Sequence, residues 1–304
     1  MKQNYASLDR AAEQLGCSCA PQEPMCLHTT FRIGGPADRL LTVERVSQLG
    51  ELLKILHGEE IPFLVLGKGS NLLVSDKGIR GVVLLLAGEF KKVELLGNGR
   101  LRAGAGASLA SVCAFARDQG LSGLEFAWGI PGSVGGAVTM DAGAYGGEMR
   151  DVVERVCHLT EEGTLSSAAG EELGFSYRKS RYTGGREVIA WADYKLQPGD
   201  PTQIGSQMEE LMARRKAKQP YDMPSAGSVF KRPEGAYAAA LIEECGLKGR
   251  RVGGAQVSEK HAGFIVNTGG ATCGDVLALI GQIQQEVREK KGISLETEVR
   301  VLGE

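Results

Sequence analysis

The stretch that decides the fold is FLVLGKGSNLLVSDKGIRG, residues 63–81, taken together with GLEFAWGIPGSVGGAVTMDAGAYGGE, residues 123–148. In the first, an apolar strand runs into Gly67-Lys68-Gly69-Ser70-Asn71, and apolar residues resume at Leu72. Gly67 and Gly69 let main-chain N–H groups come close to a phosphate, and Ser70 and Asn71 add donors. An ordinary strand-to-strand loop is the competing reading of this stretch alone. A dinucleotide fingerprint is not, because the sixth position of G-x-G-x-x-G is Leu72 and no helical pattern follows. In the second stretch Gly129, Gly132, Gly135 and Gly136 surround Ser133 in a nest-like run that suits a pyrophosphate. No Gly-Lys-Ser/Thr closes it, so it is no Walker loop. Two such loops in one half of the chain point to phosphate more strongly than either does alone, since bound oxygens would satisfy N–H groups orphaned by so irregular a backbone.

Outward from these loops, hydrophobic periodicity predicts strands at 39–44, 61–66 and 81–87. Between the first two lies a helix from Ser47, as N-cap, to His57, with Leu49, Leu52, Leu53 and Leu56 inward. KKVELL (91–96) and RLRAGAG (100–106) flank Gly97-Asn98-Gly99, a hairpin signal. A helix from Ser108 to Gly120 presents Leu109, Val112, Cys113 and Ala116 inward, and strands are expected at 152–159 and 187–196. Residues 202–218 read as a polar helix with a basic end. Beyond it come a helix near 236–244, a strand at 262–266, a helix over 273–290 and a closing strand at 294–302. For the 273–290 helix, Thr272 is the expected N-cap and Asp275 the N3 partner. Helices and strands alternate irregularly, so the class is α+β with at least two lobes.

The bulk numbers exclude several functions. The chain has 304 residues, suggesting about two domains of about 150 residues each. A net charge of −2 gives no electrostatic footprint for nucleic acid or an anionic membrane. The apolar run Val82–Ala87, like every other in the chain, is too short to span a bilayer. Seven cysteines, an odd number without a C-x-x-C or a signal-like start, suggest reduced thiols in a cytoplasm. Cys17, Cys19, Cys26 and His28 lack the paired spacing of a metal site, so no metal is expected.

Further motifs carry chemistry with plainer alternatives beside it. FSYRKSRY (175–182) gathers Tyr177, Arg178, Lys179, Arg181 and Tyr182, which read either as a solvated basic edge or as a bidentate clamp for a carboxylate. The run Arg214, Arg215, Lys216, Lys218 is a solvated helix end or an anion contact. In LETEVRVLGE, Glu296, Glu298 and Arg300 alternate as a solvent-facing strand would require. PSAGSVFKRP (224–233) sets Ser228 after a glycine, as a nucleophile, a phosphate ligand or a turn residue. The missing G-x-S-x-G and the scattered histidines, His28, His57, His158 and His261, speak against a serine hydrolase.

Taken together these segments closely resemble the UDP-N-acetylenolpyruvoylglucosamine reductases, the MurB flavoenzymes. The matching pieces include HTTFRIGGPAD (28–38), LGKGSNLLVSD (66–76), GLEFAWGIPGSVGGAV (123–138), AGAYGGE (142–148), SYRKSRY (176–182), PSAGSVFKRP (224–233), LIEECGLKGRRVGGAQVSEKHAGFIVN (241–267) and ETEVR (296–300). They run in family order over nearly the whole chain. The PSAGSVFKRP form and the short loop after Tyr182 resemble the family's smaller subtype, common in Gram-positive bacteria.

The resemblance implies an α+β fold with an FAD-binding module of the vanillyl-alcohol-oxidase (PCMH) type in two subdomains, 1–88 joined by the closing strand 293–304, and 89–203. A substrate-binding lobe would follow at 204–292. Contacts to FAD are implied at Gly67, Lys68, Gly69, Ser70, Asn71, Leu72, Gly129, Pro131, Gly132, Ser133, Gly135, Gly136, Ala142 and Gly143. Catalytic roles are implied for Arg178, Ser228 and Glu298, and substrate contacts are expected at Tyr177, Arg215, Lys218 and Lys231. NADPH would be the reductant, a UDP-sugar the substrate, and a cytoplasmic monomer or weak homo-oligomer the form. Arg178 would stabilise charge developing on the substrate carboxylate, and Ser228 would protonate the neighbouring carbon. Glu298 would be protonated, or share a proton, beside that carboxylate. The chain departs from the family pattern at Asp141, where asparagine is expected. A carboxylate aimed at the FAD phosphates would repel them, so Asp141 is expected to face away or to accept a backbone donor.

Overall fold

Two hydrophobic cores form, and the chain alternates between them. In the computed structural model, which describes residues 4–304, one unit comprises the chain up to Pro21 with Arg39–Lys68 and Gly81–Arg214. The second comprises Gln22–Asp38, Gly69–Arg80 and Arg215–Glu304. This division differs from the expected one. Residues 22–38 and 69–80 group with the C-terminal part because Phe31, Ile33 and Leu73 are buried in its core.

In the first unit the N-terminal residues, for which no element was expected, form helix α1 (Ala6–Leu15), ended by Gly16 at φ +71°. Helix α2 (Val46–Gly58) buries Leu49, Leu52, Leu53 and Leu56 as expected. Its start is corrected: Ser47 lies inside the helix, and the Gln48 carboxamide accepts the N–H groups of Glu44 (2.9 Å) and Arg45 (2.8 Å) instead. Helix α3 (Leu109–Asp118) starts on Ser108, whose hydroxyl accepts the Ser111 N–H, and turns off at Gly120 with φ +65°. A four-stranded sheet has the order Ser18–Pro24, Pro36–Val43, Ile79–Leu86, Phe63–Leu66, the last two parallel. A five-stranded antiparallel sheet runs Leu165–Ala169, Val153–Leu159, Val188–Lys195, Arg100–Gly104, Val93–Gly97.

One element sits where only a glycine-rich loop was expected. Helix α4 (Val134–Thr139) rises from Ser133, whose hydroxyl accepts the Gly136 N–H at 3.4 Å. VGGAVT is a poor helical sequence by propensity. Tertiary bonds supply what propensity lacks: Val134 and Gly135 donate to the carbonyls of Ala107 and Ala105, both at 2.9 Å. Helix α5 (Pro201–Lys218) follows the sheets, and its residues from Arg215 on belong to the second unit.

In the second unit, Ser225–Ser228, Phe264–Asn267, Ala255–Val257 and Arg251–Val252 make a four-stranded antiparallel sheet in that order. Helices α6 (Ala238–Glu244) and α7 (Cys273–Lys291) pack into the same core. The capping box of Thr272 and Asp275 is present, and the Asp76 carboxylate accepts the Cys273 and Gly274 N–H groups at 2.8 and 3.0 Å. Val276, Leu279, Ile280, Ile283 and Val287 are buried as one stripe. Each contributes about 1.5–3 kcal/mol by leaving water. The closing strand is shorter than expected: only Arg300–Leu302 pairs, in parallel with Leu72–Val74. Residues before it make single attachments instead, Thr297 bridging Phe230 and Glu296 accepting the Lys231 N–H. No helix among the described residues is long and apolar enough to cross a membrane.

Candidate active site

The two glycine-rich loops meet within the first unit. A Cβ on Gly67 would lie 2.2 Å from Ser133 Oγ, so the end of strand Phe63–Leu66 abuts the start of α4. Ser133 is buried and pairs with Ser108, and Leu109 donates to the Gly132 carbonyl at 3.0 Å. The glycines divide into two sets. Gly67 and Gly135 are required by the protein itself, the latter because its Cβ would come within 3.1 Å of the Ala105 side chain. Gly132 and Gly136 have ordinary negative φ, and a Cβ on either would meet nothing closer than 3.4 Å. Gly136 is also exposed on a helix, where glycine costs about 1 kcal/mol relative to alanine. Nothing inside the fold explains these two, and they leave the main chain open to a ligand. Glycine clearance, a serine hydroxyl and helix-start amides fit a pyrophosphate-bearing cofactor.

Beyond α4 the chain closes with a Schellman motif. Ala142 donates to Ala137 O (2.9 Å) and Asp141 to Val138 O (3.4 Å), with Asp141 itself at φ +40°. Asp141 is fully buried, and its carboxylate accepts the Arg150 N–H (3.0 Å) and pairs with Arg150 Nη2 (2.9 Å). Burial pushes its carboxyl group up, while Arg150 pulls the other way. The carboxylate therefore has a backbone donor and a cation of its own. Ala142 and Gly143 lead into a small hairpin, Gly143–Ala144 against Gly147–Glu148, with Tyr145 at its tip.

Arg178 also lies in the first unit. Ser176 and Lys179 exchange both main-chain hydrogen bonds (2.9 and 2.8 Å), leaving Tyr177 and Arg178 as a two-residue turn. Arg178 has φ +57°, a region that an arginine enters only at a cost on the order of 1 kcal/mol. Its guanidinium stacks on the exposed Tyr177 ring at 5.0 Å.

The second unit gathers Ser228, Glu298 and the other half of the first loop. Ser225–Ser228 pairs with Phe264–Asn267 across a bulge at Ala226-Gly227, where Gly227 adopts φ +76°. The bulge re-aims Ser228, whose Oγ donates to Phe230 O at 3.1 Å. Glu298 donates its N–H to Val229 O at 2.7 Å, and Asn71 donates its side-chain amide to Glu298 O at 3.2 Å. Arg300 returns a bond to Asn71 O at 3.0 Å, and Gly227 comes within a Cβ contact of 3.9 Å of Ser70 O. Gly69 has φ +61° and lies against the backbone of His28 and Thr29.

Lys218 lines a cavity of about 440 Å³ with Lys260, His261, Tyr237 and Glu243. Lys260, His261 and Tyr237 were not singled out, although the first two stand in the quoted SEKHAGF stretch. Lys260 Nζ donates to Lys216 O at 2.6 Å, tying down the end of α5. Burial holds the His261 imidazole below its ordinary value, and its Nδ1 accepts the Gly263 N–H at 3.2 Å. Lys231, by contrast, forms an exposed ion pair with Glu296 at 3.0 Å.

A glycine cradle suited to a pyrophosphate-bearing cofactor lies in the first unit and a bulged serine in the second, the parts of a cofactor-dependent enzyme. Residues 37–169 match the model of an FAD binding domain, and residues 219–302 match the C-terminal domain of UDP-N-acetylenolpyruvoylglucosamine reductase. The chain is 51% identical to the reductase of that name from Caldanaerobacter subterraneus, over 93% of each chain. It is 48% identical to that of Clostridium botulinum, over 93% of this chain and 92% of the relative. The crystal structure of the Thermus caldophilus reductase (MurB) superposes with a TM-score of 0.81 at 41% identity, covering 94% of this chain and 98% of that one. The chain belongs to the UDP-N-acetylenolpyruvoylglucosamine reductase family.

Proposed function

We propose that Arg178, Ser228 and Glu298 carry the reaction for which the family is named. That reaction is the reduction of UDP-N-acetylglucosamine enolpyruvate to UDP-N-acetylmuramate, a step in making peptidoglycan precursor. The observation that carries the assignment is the Glu298 N–H bonded to Val229 O at 2.7 Å, which holds the carboxyl-bearing residue beside the serine strand. FAD, when bound at Gly67–Leu72, Gly129–Gly136 and Ala142-Gly143, supplies to the enolpyruvyl group the hydride it takes from NADPH. Arg178 binds the substrate carboxylate through its fork of donors and stabilises the charge that develops there. Ser228 donates the proton to the adjacent carbon. Its hydroxyl, which donates to Phe230 O at 3.1 Å, would exchange that bond for one to the substrate. Glu298 takes up or shares a proton in the complex, since two carboxylates in one site do not both stay charged. Lys218 and Arg215, at the end of α5, take the anionic part of the nucleotide, with Tyr177 and Lys231 as further contacts. The same reading puts the reaction in a cytoplasm, where NADPH and nucleotide sugars are found, and the seven free thiols support it.

Stopped-flow kinetics on Ser228→Ala tests this reading. Reduction of the bound flavin by NADPH is expected to proceed at the parent rate. Its reoxidation by the enolpyruvyl substrate is expected to slow by about 10²–10⁴-fold. Two unimpaired half-reactions would reduce Ser228 to a turn residue.

A further inference from the structure

The Arg178 turn is two residues long and strained, so something outside it must hold it. The structure shows what does. Thr139 is the last residue of α4, and its carbonyl is one that a helix end leaves without a partner. Two hydroxyls from just beyond the turn fill it: Ser180 Oγ donates to Thr139 O at 3.1 Å and Thr183 Oγ1 at 2.8 Å. The two also brace each other. Ser180 N–H donates to Thr183 Oγ1, and Thr183 N–H to Ser180 O, both at 3.0 Å. Tyr182 N–H donates to Ser180 Oγ at 3.3 Å, and Ser180 is 2% exposed. At its other end α4 begins on Ser133, in the glycine-rich loop. Its six residues span about 9 Å at 1.5 Å per residue. One rigid turn and a half of helix thus has the cofactor cradle at its start and the arginine turn bonded to its end.

We propose that Ser180 and Thr183 are positioning residues: they strap the Arg178 turn to α4 and so fix the arginine relative to whatever the loop at 129–136 holds. The kinetic part of this inference rests on the reading of Arg178 as the carboxylate-binding group. Neither hydroxyl touches substrate in this account. They act through Arg178, and a misplacement of about 1 Å at such a group costs about 10²-fold in rate.

The test compares the FAD-loaded parent with Ser180→Ala/Thr183→Val, Thr183→Ser, Arg178→Ala and the triple variant. The double variant is expected to keep its flavin and its NADPH half-reaction. Flavin reoxidation by the enolpyruvyl substrate should slow about 10²-fold, whereas Thr183→Ser, which keeps the hydroxyl, stays within about 3-fold of the parent. In the Arg178→Ala background, removing both hydroxyls should cost less than about 3-fold more, because residues acting through one group are not additive. Limited trypsin digestion with mass spectrometry reads the strap without reference to catalysis. Cleavage after Arg178 should rise at least about 10-fold in the double variant, with other sites unchanged, because cleavage follows local opening. A parent-like rate with parent-like cleavage overturns the proposal, and so does a full 10²-fold loss added on top of Arg178→Ala. If Arg178→Ala itself turns over normally, the catalytic reading of Arg178 falls, and the trypsin result still decides the strap.

Discussion

Two tight turns in the first unit obey opposite rules. At the hairpin between Val93–Gly97 and Arg100–Gly104, the left-handed positions fall to Gly97 (φ +83°), Asn98 (φ +52°) and Gly99 (φ +71°). These are residues that tolerate the region, and the turn is what a stable hairpin asks for. At Ser176–Lys179 the equivalent position holds Arg178 at φ +57°, flanked by Tyr177 rather than by glycine or asparagine. The first turn serves the fold. The second gives up local stability to aim a charged side chain, and it needs Ser180, Thr183 and α4 to stay in place.

The largest effect expected from breaking this contrast is on Arg178→Gly. Glycine is the residue the turn geometry prefers, so the urea midpoint should stay level or rise. Turnover should nevertheless fall by about 10²–10³-fold, the usual loss when a donor to developing negative charge is removed. A variant that unfolds more readily would show that the arginine stabilises the turn rather than straining it. The mirror experiment is Gly99→Ala. A Cβ there meets Leu196 O at 2.6 Å and sits at φ +71°, so stability should drop by about 1–2 kcal/mol. Turnover per folded molecule should be unchanged, and a loss of turnover at full stability would mean the hairpin also serves the site.

A smaller effect separates the two sets of glycines. Gly136→Ala replaces an exposed helical glycine whose Cβ meets nothing closer than Ser133 Oγ at 3.4 Å. The protein without flavin should gain up to about 1 kcal/mol. FAD affinity should weaken by several-fold, up to about tenfold, because the new methyl occupies the approach to the main chain. Calorimetry of the flavin-free protein and a fluorescence titration with FAD measure the two arms. Tighter or unchanged flavin binding would remove Gly136 from the cradle.

The same contrast explains what the sequence made legible. Elements whose local chemistry agrees with the fold were readable: the Gly97-Asn98-Gly99 turn, the Ser108 cap, the Thr272–Asp275 capping box and the inward stripes of α2, α3 and α7. The two glycine loops stood out because glycine is costly wherever it is not needed, and the structure brings Gly67 of one against Ser133 of the other. Family resemblance, and not periodicity, singled out the roles of Ser228 and Glu298. Helix α4 escaped notice because its stability comes from the carbonyls of Ala105 and Ala107, about thirty positions earlier in the chain. The assembly of Asn71 with Glu298 is likewise a pairing across the length of the chain that no local pattern encodes. The Gln48 cap of α2 shows the same limit on a small scale, since a side chain inside the helix replaced the serine expected to start it.

The smallest expected effect concerns the ground on which the Arg178 turn stands. Arg181 and Tyr182, just past the turn, join a network centred on the buried His158: Tyr182 Oη lies 3.0 Å from His158 Nδ1, and His158 Nε2 lies 3.1 Å from Glu187 Oε1. Arg181 pairs with the same Glu187 at 2.8 Å. With its proton on Nε2, neutral His158 donates to the carboxylate and accepts from the tyrosine, so both ring nitrogens are satisfied. Burial holds its imidazole below the ordinary value, with Glu187 pulling up and Arg181 pulling down. An imidazole depressed in the fold binds its proton more readily in the unfolded chain. Its contribution is therefore complete above the unfolded value of about 6.5 and is lost as pH falls toward the folded one, at no more than about 1.4 kcal/mol per pH unit. His261, depressed by burial in the second unit, acts in the same sense. Urea midpoints between pH 5 and 7 should thus fall with acidification, and His158→Gln, though less stable throughout, should lose a large part of that slope while keeping the share due to His261. If the slope survives in full, His158 already carries its proton in the folded protein, and the hydrogen-bond pattern under the Arg178 turn must be redrawn with an imidazolium between Tyr182 and Glu187.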